Sequence, residues 1–198
     1  RFDAGMLYYS PQIWCSDNTD AINRLSIQYG TSFFYPISAV GAHVSAVPNH
    51  QTGRSVPFST RGHVAMSGSF GYELDLNKVS EEEKEMVKEQ VSTFKKFYGL
   101  THEGDYYRLT CPGEEEYMAW EFVSKDRSHA MMTLVKTDGQ GNSLPVHVPV
   151  RGLDDTRKYR CSYNGLVCFG DVWNNGGLTL KTIPGEYASL IVEWVEEG

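Results

Sequence analysis

The residue best placed for acid–base chemistry is Asp17, which stands between two different sequence patterns. Before it, apolar and aromatic runs at Met6–Tyr9 and Ile13–Trp14 have no polar face, which predicts a strand buried on both sides of a parallel sheet. After it, apolar side chains recur at helical spacing, and Gly30 predicts the helix end. A strand followed by a helix is a βα unit, and catalytic side chains usually lie in the loop that joins them.

The same residue types also begin helices, so Asp17 has a structural interpretation. Asp17 and Asp20 resemble an acidic capping arrangement, in which a carboxylate accepts from the first free backbone N–H groups of the helix. Spacing alone favours this role. A calcium loop is excluded, because Ala21 stands where a ligand is needed and no glycine follows.

Three segments, in this order, resemble the α-galactosidases of glycoside hydrolase family 36: Arg1–Trp14 with Ser16–Ala21, Gly41–Arg54 and Phe70–Leu74. In that family the aspartate after Trp-x-Ser, here Asp17, is the general acid/base. The nucleophilic aspartate belongs to a Lys-Trp-Asp motif, which this sequence lacks. The chain therefore resembles the carboxyl-terminal part of a larger enzyme, whose missing N-terminal part carries the nucleophile.

The resemblance implies a retaining hydrolase that releases terminal α-linked galactose from melibiose and raffinose-type oligosaccharides. Such an enzyme needs two carboxylates and no cofactor, so we expect the isolated chain to be inactive. Galactosyl transfer by the same family machinery stays open. So does a noncatalytic fragment whose β-sandwich supports the barrel or binds carbohydrate. The enzymes that the chain resembles are often homo-oligomers.

Trp14 has two interpretations. Its ring face would suit the apolar side of a pyranose in a substrate-binding pocket, or the ring would be an ordinary core residue. His43, His50 and His63 lack the close spacing of a metal site, so we expect no bound metal. His50 follows a predicted strand and could reach the rim of the pocket.

Net charge and the cysteines indicate which partners and which cellular location to expect. A net charge of −7 and a pI near 5.4 argue against nucleic acid and anionic membranes as partners, and the sequence contains no long apolar segment. A two-residue turn at Asn164-Gly165 would place Cys161 opposite Cys168 at a hydrogen-bonded pair, where a disulfide fits poorly. We therefore expect free thiols and a cytoplasmic location.

Periodicity divides the chain into two predicted domains, residues 1–101 and 102–198. The first reads as α/β, with a helix over Thr60–Ser69 and a capping box at Ser80 that begins a helix ending at Gly99. In the second, apolar residues alternate with polar ones between frequent turn signals, which is typical of an antiparallel β-sandwich. With the resemblance, the expected fold class is α/β followed by all-β: the C-terminal strands and helices of a (β/α)8 TIM barrel, then the sandwich.

Overall fold

The computed structural model describes residues 3–138, 145–181 and 183–198. The chain divides into two compact units, Arg1–Thr101 and His102–Gly198. The first unit contains two 3-10 helices, at Ala4–Tyr8 and Ile37–Ala39, together with α1 (Ala21–Thr31), β1 (His43–Ser45), α2 (Phe58–Ala65), β2 (Gly71–Glu73) and α3 (Glu81–Glu103). The division between the units falls in the last turn of α3.

Successive segments of the first unit align in parallel. β1 pairs with β2 in parallel, with His43 opposite Gly71, and Ile13 forms a parallel bridge with Val40. Parallel order with intervening helices is the arrangement of consecutive strands in a barrel. The α/β prediction for this half of the chain is confirmed.

The strand predicted at Met6–Tyr9 was wrong, whereas Ile13 of the second run pairs in parallel with Val40. Asp3 Oδ1 accepts a hydrogen bond from the Gly5 N–H at 2.9 Å and begins a 3-10 helix instead. Tyr8 is 86% exposed, and Pro11 has no N–H to donate to a strand ladder. An apolar run does not fix its own secondary structure when a nearby carboxylate and a proline offer the backbone another conformation.

Both helix ends predicted at glycine were misplaced, because α1 continues past Gly30 and α3 past Gly99. The Ser32 backbone N–H closes α1 by donating to Gln28 O, so no glycine is needed there. The capping box at Ser80 is confirmed: the Glu83 N–H donates to Ser80 Oγ at 3.1 Å, and the Ser80 N–H donates to Glu83 Oε2 at 3.1 Å. None of the helices within the described ranges has the length and apolar character needed to span a bilayer.

In its described residues the second unit is all-β, as predicted, apart from the end of α3 and one short helix. Its described elements are β3 (Asp105–Arg108), β4 (Tyr117–Val123), β5 (His129–Lys136), β6 (Val146–Val148), β7 (Lys158–Cys161), β8 (Val167–Phe169), α4 (Gly170–Gly176), β9 (Leu178–Leu180) and β10 (Ser189–Glu196). The strands form an antiparallel six-stranded sheet in the order β3-β4-β5-β10-β7-β8 and a two-stranded sheet of β6 and β9. Residues from both sheets share one core, which makes the unit a sandwich.

The cysteine hairpin has a different register from the predicted one. Cys168 lies opposite Tyr159, and the Cys161 N–H donates to Leu166 O at 2.9 Å. Gly165, with φ of 72°, donates to Cys161 O at 2.9 Å, so the loop is longer than the predicted two residues. The cysteines therefore do not face each other, and all four thiols are free, as expected.

Candidate functional site

Asp17 lies in the loop between the Ile13 bridge and α1. Its side chain is exposed, and its carboxylate makes no hydrogen bond or ion pair with any residue that the structure describes. The residues around it are held by their own side chains: the Asn18 N–H donates to Ser16 Oγ at 3.1 Å, and the Asp20 N–H donates to Asn18 Oδ1 at 2.9 Å. The loop is thus ordered while the Asp17 carboxylate stays available.

The helix cap of α1 is Asp20, so the structural interpretation of Asp17 was wrong. Asp20 Oδ1 accepts from the Ile22 N–H at 2.9 Å and from the Asn23 N–H at 3.0 Å. Aspartate is a preferred capping residue because its carboxylate satisfies N–H groups that have no partner inside the helix. Asp17 is left without a capping role.

Asp20 also ties α1 to the loop after β1. Arg54 Nη1 lies 2.6 Å from Asp20 Oδ1, and the Thr52 hydroxyl donates to Asp20 Oδ2. Burial opposes ionisation of Asp20, but hydrogen bonds from Thr52, the Asn23 N–H and Arg54 outweigh it and hold its pKa below the usual range. Asp20 is therefore a structural carboxylate and unsuited to giving up a proton in catalysis.

Asn49 fixes the shape of the same loop. Its Oδ1 accepts from the Gln51 N–H at 3.0 Å and the Thr52 N–H at 3.1 Å, and its Nδ2 donates to Thr19 Oγ1 at 3.0 Å. Sequence reasoning did not assign Asn49, Thr52 or Arg54 a role. The available signal was their place inside Gly41–Arg54, one of the three segments that carried the resemblance.

Trp14 and His43 form an aromatic pair near the Asp17 loop. Their ring centroids are 4.6 Å apart, with an angle of 39° between the planes. A Cβ atom on Gly41 would lie 3.0 Å from Trp14 Cε3, and one on Gly71 would lie 2.9 Å from His43 Cδ2. The missing side chains at these glycines make room for the two rings. Trp14 is 45% exposed in this unit, so it is not a core residue there.

The histidines differ in environment. Burial lowers the pKa of His43, the Glu73 charge raises it in part, and the Arg24 charge lowers it further. Burial also lowers the pKa of His63 to about 4, whereas His50 is exposed in the loop after β1. In the described part of the chain, no group of three or more His, Cys, Asp or Glu side chains could hold a metal ion.

Both units match known families. The family model described as Melibiase matches residues 1–104, and that of the glycosyl hydrolase family 36 C-terminal domain matches residues 117–193. The chain belongs to glycoside hydrolase family 36. The first unit is thus the end of the catalytic barrel in this family, and the second is its C-terminal β domain.

Relatives of this family 36 chain are α-galactosidases by name. It is 53% identical to the bifunctional α-galactosidase/sucrose kinase AgaSK of Mediterraneibacter gnavus over 196 residues, 99% of this chain and 21% of AgaSK. It is 50% identical to the α-galactosidase AgaA of Geobacillus stearothermophilus over 191 residues, 96% of this chain and 26% of AgaA. The chain therefore spans about a quarter of the length of these relatives or less.

Solved structures agree over the whole chain. The galactosidase domain of AgaSK gives a TM-score of 0.96 at 51% identity, covering 100% of this chain and 27% of that one. A substituted AgaA from Geobacillus stearothermophilus, solved in complex with raffinose, gives a TM-score of 0.95 at 48% identity with coverage of 100% and 27%. Another AgaA variant was solved in complex with stachyose.

Proposed function

We propose that this chain supplies the acid/base part of a retaining α-galactosidase, with Asp17 as the general acid/base. The observation that carries the proposal is the contrast between two neighbouring aspartates. Asp20 is engaged by a helix terminus, a hydroxyl and a guanidinium, whereas the Asp17 carboxylate is exposed beside them without a partner among the described residues. In a family 36 chain, a carboxylate available at this loop is suited to proton transfer.

The proposed reaction has two steps. Asp17 protonates the glycosidic oxygen while a second carboxylate, about 5 Å away, attacks the anomeric carbon and forms a glycosyl-enzyme. Asp17 then takes a proton from water, which attacks the same carbon and releases galactose. The second carboxylate is proposed to come from another part of a longer polypeptide, since relatives are about four to five times the length of this chain.

The proposed substrates are melibiose and raffinose-type oligosaccharides. AgaA variants solved with raffinose and stachyose support this class. Trp14 is proposed to contact the apolar face of the sugar, because its ring is partly exposed and is held against His43 near the loop. Homo-oligomeric assembly and a cytoplasmic location are also proposed; light scattering of the purified full-length enzyme and cell fractionation would test them.

The test compares Asp17→Asn with the unsubstituted form of a full-length enzyme that contains this chain. We expect melibiose cleavage to fall by roughly 100- to 10,000-fold, the range that a positioned general acid contributes. Release of an aryl group that leaves without protonation should persist as a burst, with azide accelerating the second step. Glu85→Gln is the matched control, because Glu85 lies on the exposed face of α3 and, among the described residues, pairs only with Lys88, at 2.6 Å.

Two results would overturn the proposal. Unchanged cleavage of both substrates would mean that Asp17 takes no part in proton transfer. Loss of both activities without azide rescue, in a folded variant, would assign Asp17 a role other than acid/base. A high ratio of transfer to hydrolysis products at high acceptor concentration would leave Asp17 in place but change the reaction to galactosyl transfer.

A further inference from the structure

We propose that Arg24 is a positioning residue that sets the place of the Asp17 carboxylate. The inference rests on the proposed function, because it matters to catalysis only if Asp17 is the general acid/base. Arg24 lies on α1, one helical turn after the Asp20 cap, and is only 6% exposed. It points into the first unit, where an apolar residue would be the ordinary choice.

The Arg24 guanidinium joins two backbone segments. Its Nη1 donates to Ser16 O at 3.2 Å, and its Nη2 donates to Gly41 O. Ser16 directly precedes Asp17, and Gly41 lies two residues before β1. Because a guanidinium is planar and its N–H groups have fixed directions, these two bonds set the separation of the two segments.

Arg24 is itself held in one orientation by a chain of buried side chains. Its Nε donates to Gln28 Oε1 at 3.3 Å, one turn further along α1. Gln28 Nε2 donates to Ser67 Oγ at 2.7 Å and to Val64 O at 3.2 Å, at the end of α2. Arg24 therefore fixes the position of the Asp17 loop relative to two packed helices, α1 and α2.

The charge of Arg24 argues for a role beyond packing. Within the described ranges, Arg24 forms no ion pair with a carboxylate, and a buried charge without a counter-ion costs free energy. Arg61 provides the contrast: it is 5% exposed, but it lies 3.5 Å from Glu83 and donates to Ser45 O at 2.5 Å. Both buried arginines thus hold backbone carbonyls, but of the two only Arg24 donates to the residue that precedes Asp17.

Loss of the Arg24 hydrogen bonds should misplace Asp17 and slow protonation of the leaving group. A general acid transfers its proton only from about 2.6–3.2 Å, and a misplacement of about 1 Å can lower a rate by roughly 100-fold. The loss should fall on substrates whose leaving group needs the proton. Substrates with strongly acidic aryl leaving groups should be nearly unaffected.

The experiment measures kcat/KM for melibiose and a series of aryl α-galactosides in a full-length enzyme containing this chain. Arg24→Lys removes the planar fork but keeps the charge, and Arg61→Lys is the matched control. For Arg24→Lys we expect a loss of roughly 10- to 100-fold on melibiose and less than about 3-fold on the most activated aryl substrate. For Arg61→Lys any loss should be equal across the series. Within the described residues Arg61 makes no hydrogen bond to the Asp17 loop itself and is joined to it through Ser45, whose hydroxyl donates to Thr19 O at 2.9 Å.

The outcomes separate this inference from the proposed function. Suppose that the loss in Asp17→Asn depends on the leaving group, but that Arg24→Lys lowers kcat/KM equally for all substrates or for none of them. Arg24 is then not a positioning residue, and the proposed function stands. If Asp17→Asn shows no such dependence, the proposed function fails and takes this inference with it. If Arg24→Lys does not fold, Gln28→Leu is the second variant. It leaves the Arg24 contact with Ser16 in place but removes the partner of Arg24 Nε. An equal loss of kcat/KM on all substrates would overturn the inference.

Discussion

Replacing Glu121 by glutamine should stabilise the β unit at neutral pH. Glu121 lies in the middle of β4 and is 0% exposed. Its Oε2 accepts from the Arg151 N–H at 3.0 Å, but Oε1 has no hydrogen-bond partner in the part of the protein that the structure describes. Burial raises the pKa of Glu121 to about 8, although the Arg151 N–H and charge lower it in part.

The sign of the effect follows from where the proton is lost. Between the ordinary pKa of 4.5 and the folded pKa of about 8, the folded state keeps the Glu121 proton and the unfolded state releases it. The free energy of unfolding therefore falls as pH rises through this window and levels off above pH 8. At pH 7, about 2.5 pH units above the ordinary pKa, the cost is roughly 3 kcal/mol. Glutamine has no proton to lose and avoids this cost.

The assay is urea unfolding of this chain and its Glu121→Gln variant at pH 5 and pH 7. Tryptophan fluorescence reports mainly on the second unit, which contains three of the four tryptophans: Trp120, Trp173 and Trp194. We expect the variant to gain about 2–3 kcal/mol at pH 7 and less than about 1 kcal/mol at pH 5. Glu115→Gln, at an exposed position, should show neither gain. An equal difference at both pH values would refute the reasoning, because it would mean that Glu121 is ionised in the folded protein.

Three further substitutions test the capping box of α3 and the space around two glycines. Ser80→Ala should lower the free energy of unfolding by about 1 kcal/mol, because it removes half of the capping box at α3; urea unfolding measures it, and no change would mean that the box is not formed in solution. Gly30→Ala should raise the melting temperature slightly, since a Cβ there meets nothing within 4 Å inside a helix. Gly170→Ala should lower it by the equivalent of about 1–3 kcal/mol, because its Cβ would lie 2.0 Å from Asp154 O. A similar effect of both glycine substitutions would contradict the close approach at Gly170.

Features that depend on residues close together in the sequence could be predicted from it. The capping box depends on Ser80 and Glu83, three positions apart, and formed as expected. The alternating pattern after residue 101 gave the all-β class, because strand faces repeat every two residues. The three ordered segments pointed to the family, since each is a continuous stretch of the sequence that resembles it, and the family model matches the same part of the chain.

Contacts between distant residues were decided only by the tertiary structure. Asp20 caps α1 through N–H groups only two and three residues away. Its contacts with Thr52 and Arg54, which lower its pKa, are made only in the fold. The role of Arg24 depends on Ser16 and Gly41 carbonyls in the same way. Local hydrogen bonds compete on nearly equal terms along an isolated chain. Packing against a distant segment, which buries one set of polar groups and must satisfy them, selects which of those bonds is made.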